Sequence, residues 1–94
     1  MRYRLSRAAA SDLRALYAEG IERFGPPHAD RYLDRLENSL DLLALNPGMA
    51  RERAELSPPA RIHPVGSHII VYVAQVDGIL VVRIRHARED WAAS

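Results

Sequence analysis

Cysteine and lysine are both absent from this 94-residue chain. Without cysteine there is no disulfide framework, no thiol nucleophile and no thiolate metal site. Without lysine, all thirteen basic residues are arginine. A guanidinium stays protonated at neutral pH, so none of them can act as a general base. Charge of one sign is lacking too: the formal net charge is only +1, which argues against a protein that coats nucleic acid by itself. No run approaches the roughly 18 apolar residues of a membrane span. The opening MRYRLSRAAA has no signal-peptide apolar region, so a cytoplasmic protein is expected. His28, His63 and His68 are scattered without ligand spacing, and neither a metal site nor a cofactor is expected. What is present is ordinary for a folded domain: 48% hydrophobic and 27% charged residues. The length suits one domain, spanning residues 1–94, with one modest core.

The chain opens with alternation. Met1, Tyr3 and Leu5 fall on one side and Arg2, Arg4 and Ser6 on the other, which predicts a short edge strand. Ser6 is placed to cap a helix over Arg7–Phe24, whose apolar positions include Ala9, Leu13, Leu16, Tyr17, Ile21 and Phe24. Gly20 on that stripe would allow close helix approach or is only a weak point of the helix, and Glu19 with Arg23 forms an i, i+4 pair. Gly25-Pro26-Pro27 ends the helix. A second helix is predicted from about His28 to Leu45, with a buried stripe of Ala29, Tyr32, Leu33, Leu36, Leu40 and Leu43. The short connection makes the two helices an antiparallel hairpin. Met49–Pro59 reads as a polar connector, and Ala60–Val65 as a short strand.

The last third is a hairpin. His68–Val76 and Ile79–His86 are rich in β-branched residues and flank Asp77-Gly78, a strong two-residue turn signal. Placing the turn at Asp77-Gly78 pairs Tyr72 with Arg83 and Ile70 with Arg85. Side chains alternate across a strand. That register puts Ile69, Val71, Val73, Val82 and Ile84 on the core face. Ile70, Tyr72, Ala74, Val81, Arg83 and Arg85 fall on the second face, where apolar area and two guanidinium groups suggest a surface that meets a partner. The order is β-α-α-β-β-β: an α+β fold, with a small antiparallel-dominated sheet and an N-terminal helical hairpin packed on one face.

With these elements in this order, the chain resembles the ParE branch of the ParE/RelE toxin superfamily. The likeness runs through YRLSRAAASDLRALYAEGIERFG, ADRYLDRLENSLDLLALNPG and RIHPVGSHIIVYVAQVDGILVVRIRHAREDW. Its most specific pieces are YRLS, the leucine-rich helix ending at Asn46-Pro47, the step Pro64-Val65-Gly66, and the closing Arg83, His86, Arg88, Asp90 and Trp91. The resemblance implies the toxin half of a bacterial type II toxin–antitoxin pair. It implies neutralisation by a small ParD-like antitoxin in a hetero-oligomer, with DNA gyrase as the expected target.

RelE-type relatives are instead ribosome-dependent mRNA endonucleases, and this is the alternative reading; a third is a non-toxic interaction domain with the same fold. General acid–base cleavage must deprotonate a 2′-hydroxyl, neutralise the phosphorane and protonate the leaving oxygen. This chain departs from the RelE pattern, having no lysine and Trp91 where that pattern has tyrosine. Arg61 and Arg88 could bind phosphate, but His63 or His86 would have to be the base. No catalytic residue is therefore assigned. The candidates for antitoxin or target binding are Ile70, Tyr72, Arg83, Arg85, Arg88 and Trp91, with Arg61, His63 and His86 as weaker ones.

Overall fold

A computed structural model of the chain describes residues 2–88. Trp91 lies outside the described residues. Strand β1 (Tyr3–Leu5) leads into helix α1 (Arg7–Phe24), followed by α2 (Pro26–Leu45) and a single 3-10 turn (Pro47–Met49). Strands β2 (Glu52–Arg53), β3 (Ala60–Val65), β4 (His68–Gln75) and β5 (Gly78–His86) complete the order. The five strands form one mixed sheet, β1-β5-β4-β3-β2. β1 pairs parallel with β5, and the other pairings are antiparallel.

Local chemistry sets the helix ends. The Ser6 hydroxyl accepts from the Ala9 N–H (3.0 Å) and donates to the Val82 carbonyl (2.7 Å), so one residue caps α1 and ties it to β5. Gly25 alone joins the helices. At φ 88° it ends α1 through its N–H to the Ile21 carbonyl, and it precedes the two prolines that open α2. Proline lacks a donor that the first turn of a helix would leave unused anyway, so Pro26 and Pro27 start α2 instead of merely stopping α1. Gly20 lies at the helix crossing, where a Cβ would make an ordinary contact of 3.4 Å with the Ala29 Cβ. The stripe of Leu36, Leu40 and Leu43 is fully buried against Ile70, Tyr72, Ile79, Val81 and Ile84.

The hairpin register differs from the expected one. Gln75 pairs with Gly78, so the turn residues are Val76 and Asp77, and Gly78 is the first residue of β5. The reason is β1. The Ile79 N–H donates to the Arg2 carbonyl, and a Cβ on Gly78 would sit 1.8 Å from that oxygen. The glycine is required by the approach of another strand as well as by its own φ of 147°. A second irregularity follows between Val71 and Tyr72, where β4 stays regular and β5 carries one extra residue, Val82.

Together these changes reverse the faces of β4. Ile70 and Tyr72 are fully buried under the helices, and Val71 and Val73 turn to the other side. On β5 the bulge lets odd and even positions both point inward: Ile79 and Val81 before it, Ile84 after it. The Met49–Pro59 connector also contains β2, which forms the sheet edge beside β3.

Candidate functional site: the helix-free face of the sheet

Cross-strand partners share a face of the sheet. The pairs Ile62–Val71, Val71–Arg83, Val73–Leu80 and Ile69–Arg85 therefore place Ile62, Ile69, Val71, Val73, Leu80, Arg83 and Arg85 together. The helices cover the opposite face, where the core lies. Ile62, Val71, Val73, Leu80, Arg83 and Arg85 are all half-buried. The result is a band of β-branched and leucine side chains with two guanidinium-bearing residues along β5. An apolar band of this kind with arginines beside it is suited to a protein partner bearing apolar anchors and carboxylates.

Arg83 is held in place. Its Nε and Nη2 donate to the two carboxylate oxygens of Asp12 on α1 (2.8 and 3.0 Å), a bidentate pair. The same carboxylate accepts from the Ile84 N–H (3.0 Å). Asp12 thus caps a backbone donor of β5 while fixing the arginine. Burial pushes the Asp12 carboxyl up, but the hydrogen bonds from Arg83 and Ile84, with the charges of Arg83 and Arg85, outweigh it and hold the group below its ordinary range. Asp12 was not singled out by sequence reasoning. A signal existed: it sits three residues after Ala9 and four before Leu16, an acid flanking the apolar stripe of α1.

The other expected candidates are placed as follows. Ile70 and Tyr72 are core residues, which corrects their assignment to a partner face. Tyr72 runs under the helical layer and donates its hydroxyl to the Pro47 carbonyl (2.8 Å), and burial pushes its phenol above the usual value. Arg61 pairs with Tyr72 and His63 with Ile70, on the helix-bearing side, and Arg61 Nη1 donates to the Ala50 carbonyl (2.6 Å). His86 pairs with His68 and meets its ring edge-on at 5.3 Å. Arg88 is exposed, and its N–H donates to His86 Nδ1 (3.2 Å). Arg61, His63 and His86 are thus not gathered with Arg83 and Arg85 on one face.

The comparisons with known proteins agree with one another. The family model described as the ParE toxin of the type II toxin–antitoxin system parDE matches residues 3–91. The chain is 36% identical over 90 residues to the protein named Toxin ParE1 of Mycobacterium tuberculosis, covering 95% of this chain and 92% of that one. It is 31% identical over 84 residues to Toxin ParE1 of Caulobacter vibrioides, covering 89% and 86%. A solved structure described as a chromosomal ParDE toxin–antitoxin system from P. aeruginosa superposes with a TM-score of 0.78 at 20% identity, over 94% of this chain and 97% of that chain. That likeness shows the same α+β fold. The chain belongs to the ParE toxin family of type II toxin–antitoxin systems.

Proposed function

We propose that this protein inhibits DNA gyrase by binding it, without catalysing a reaction, and that a ParD-like antitoxin neutralises it across the helix-free sheet face. The observation that carries the non-enzymatic half is the commitment of the basic side chains. Arg61 is spent on the Ala50 carbonyl and Arg83 on Asp12, and the chain has no lysine. Cleavage of message by general acid–base chemistry needs a base, a phosphate-neutralising cation and an acid converging within hydrogen-bond reach of one atom. Here Arg61, His63 and His86 share the helix-bearing face, but Arg61 is tied to the Ala50 carbonyl and His86 packs edge-on against His68.

The binding half rests on the corrected face. Val71, Val73 and Leu80, with Arg83 and Arg85, replace Ile70 and Tyr72 as the anchors. An antitoxin segment disordered alone would order on this band, its apolar side chains on the valines and its carboxylates toward Arg85, Arg83 being already paired with Asp12. Arg88 and Trp91 remain candidates for the same partner or for gyrase.

Controlled expression in a bacterium, with the DNA-damage response and translation followed separately, tests the reading. Gyrase poisoning predicts an early damage response while translation continues. A prompt arrest of translation with no damage response would assign the chain to the message-cleaving alternative.

A further inference from the structure

On the helix-bearing side, at the end of the sheet, lies a recess that adjoins the Arg83 and Arg85 end of β5. It is enclosed where the α1–α2 crossing meets the β3–β4 turn and the end of β5, and its volume is about 220 Å³. Arg23, Phe24, His28, Tyr32, His68 and His86 line it, with Glu19 at its rim. Rings pack on rings around it: Phe24 on His28 at 4.7 Å, Tyr32 on His68 at 5.5 Å, and His68 on His86 at 5.3 Å.

The wall is fixed in position. The Tyr32 hydroxyl accepts from the Ser67 N–H (3.2 Å) and lies 3.1 Å from the Val65 carbonyl and 2.7 Å from His68 Nδ1. Gly66, at φ 58°, makes room for it: a Cβ there would fall 2.7 Å from the phenol. The turn is therefore shaped around Tyr32.

We infer that this recess binds a small aromatic acid, with one or two fused rings against the imidazole and phenyl walls and a carboxylate toward Arg23. Size decides the first part. Pockets for drug-sized ligands run from roughly 300 to 1,000 Å³, so this one is too small for a nucleotide and right for a single ring system. The rings provide offset and edge-on surfaces for another ring. Charge decides the second part. Arg23 faces the one carboxylate of the lining, Glu19, which sits 3.8 Å from it with both side chains largely exposed. A loose, solvated pair of that kind is readily exchanged for a better-placed carboxylate. The inference does not rest on the toxin reading.

Amide chemical-shift titration of the isotope-labelled protein tests it, with indole-3-acetate as the probe and 3-methylindole and acetate as the halves of its chemistry. Saturable shifts confined to residues near Gly20, His28 and Ser67 are expected, with a dissociation constant on the order of 1 mM or tighter. Both halves should bind more weakly. Arg23→Gln should weaken indole-3-acetate about fivefold, the size of an exposed ion pair, and leave 3-methylindole unchanged. Phe24→Ala should weaken both ring compounds. Arg23 and Phe24 are exposed, so neither change threatens the fold. N-acetyl-tryptophanamide, which lacks a carboxylate, separates a free acid from a peptide side chain: binding as tight as that of indole-3-acetate would overturn the acid assignment. Shifts that do not saturate, that scatter over the surface, or that persist unchanged in both variants would overturn the site.

Discussion

Replacing Asp12 by alanine should destabilise the protein by about 3 kcal/mol, because one side chain serves two structural purposes. Its carboxylate accepts two hydrogen bonds from the Arg83 guanidinium and one from the Ile84 N–H. The arginine share is modest, since the Arg83 side chain is 39% exposed and regains water when released. The backbone share is larger. Ile84 is 3% exposed, and its N–H would lose its acceptor at a site water reaches poorly; an unsatisfied buried donor costs about 1–3 kcal/mol. Asp12→Asn keeps an oxygen for Ile84 and loses only the charge and half the fork, so about 1 kcal/mol is expected. Urea melts at constant m value measure both. The reasoning fails if Asp12→Ala melts within about 0.5 kcal/mol of the parent, the usual range of featureless surface changes, or if the asparagine and alanine variants are equally damaged. Acid supplies a second readout. The folded carboxyl is held below its ordinary 3.8, so the stabilisation is complete above that value and is lost as pH falls through the depressed folded value. The gap between parent and Asp12→Asn should therefore narrow in strong acid.

Three further outcomes are expected. Leu36→Ala empties a fully buried position and should cost roughly 2–5 kcal/mol in a urea melt; a shift near zero would put the helix stripe on the wrong side. Gly78→Ala drives a methyl into the Arg2 carbonyl and should detach β1, read as accelerated hydrogen exchange at Ile79 and Ser6 with the β3–β4 amides still protected; unchanged exchange there would contradict the role given to this glycine. Val73→Glu, on the proposed partner face, should weaken a cognate ParD-like antitoxin by at least ~2 kcal/mol in calorimetry, the hot-spot threshold, with folding intact. Equal affinity would move the binding site elsewhere, the helical hairpin first.

The helices were legible in the sequence because their periods are unambiguous. Ser6 and the Leu36–Leu40–Leu43 stripe each do what their spacing implies. The strand faces were not. In β4 the run Ile69-Ile70-Val71-Tyr72-Val73-Ala74 is apolar on both sides, so alternation cannot choose which side meets the helices, and a single slip exchanges them. What chooses is outside the strand: the Pro47 carbonyl waiting for the Tyr72 hydroxyl, and the Arg2 carbonyl that claims Gly78. Both partners lie far away in sequence. Asp77-Gly78 read as a turn because Asp-Gly commonly serves one, and nothing local reveals that β1 needs the same glycine. The arginines on the helix-free face were correctly grouped, since Arg83 and Arg85 do lie there, but the valines beside them were exchanged for Ile70 and Tyr72.

The most direct test of the proposed activity is a supercoiling assay with purified gyrase, run beside a cleavage assay on ribosome-bound message. Gyrase inhibition predicts loss of supercoiling as the protein is added, its recovery on adding the cognate antitoxin, and intact message at every concentration. Undisturbed supercoiling together with cut message would contradict the account.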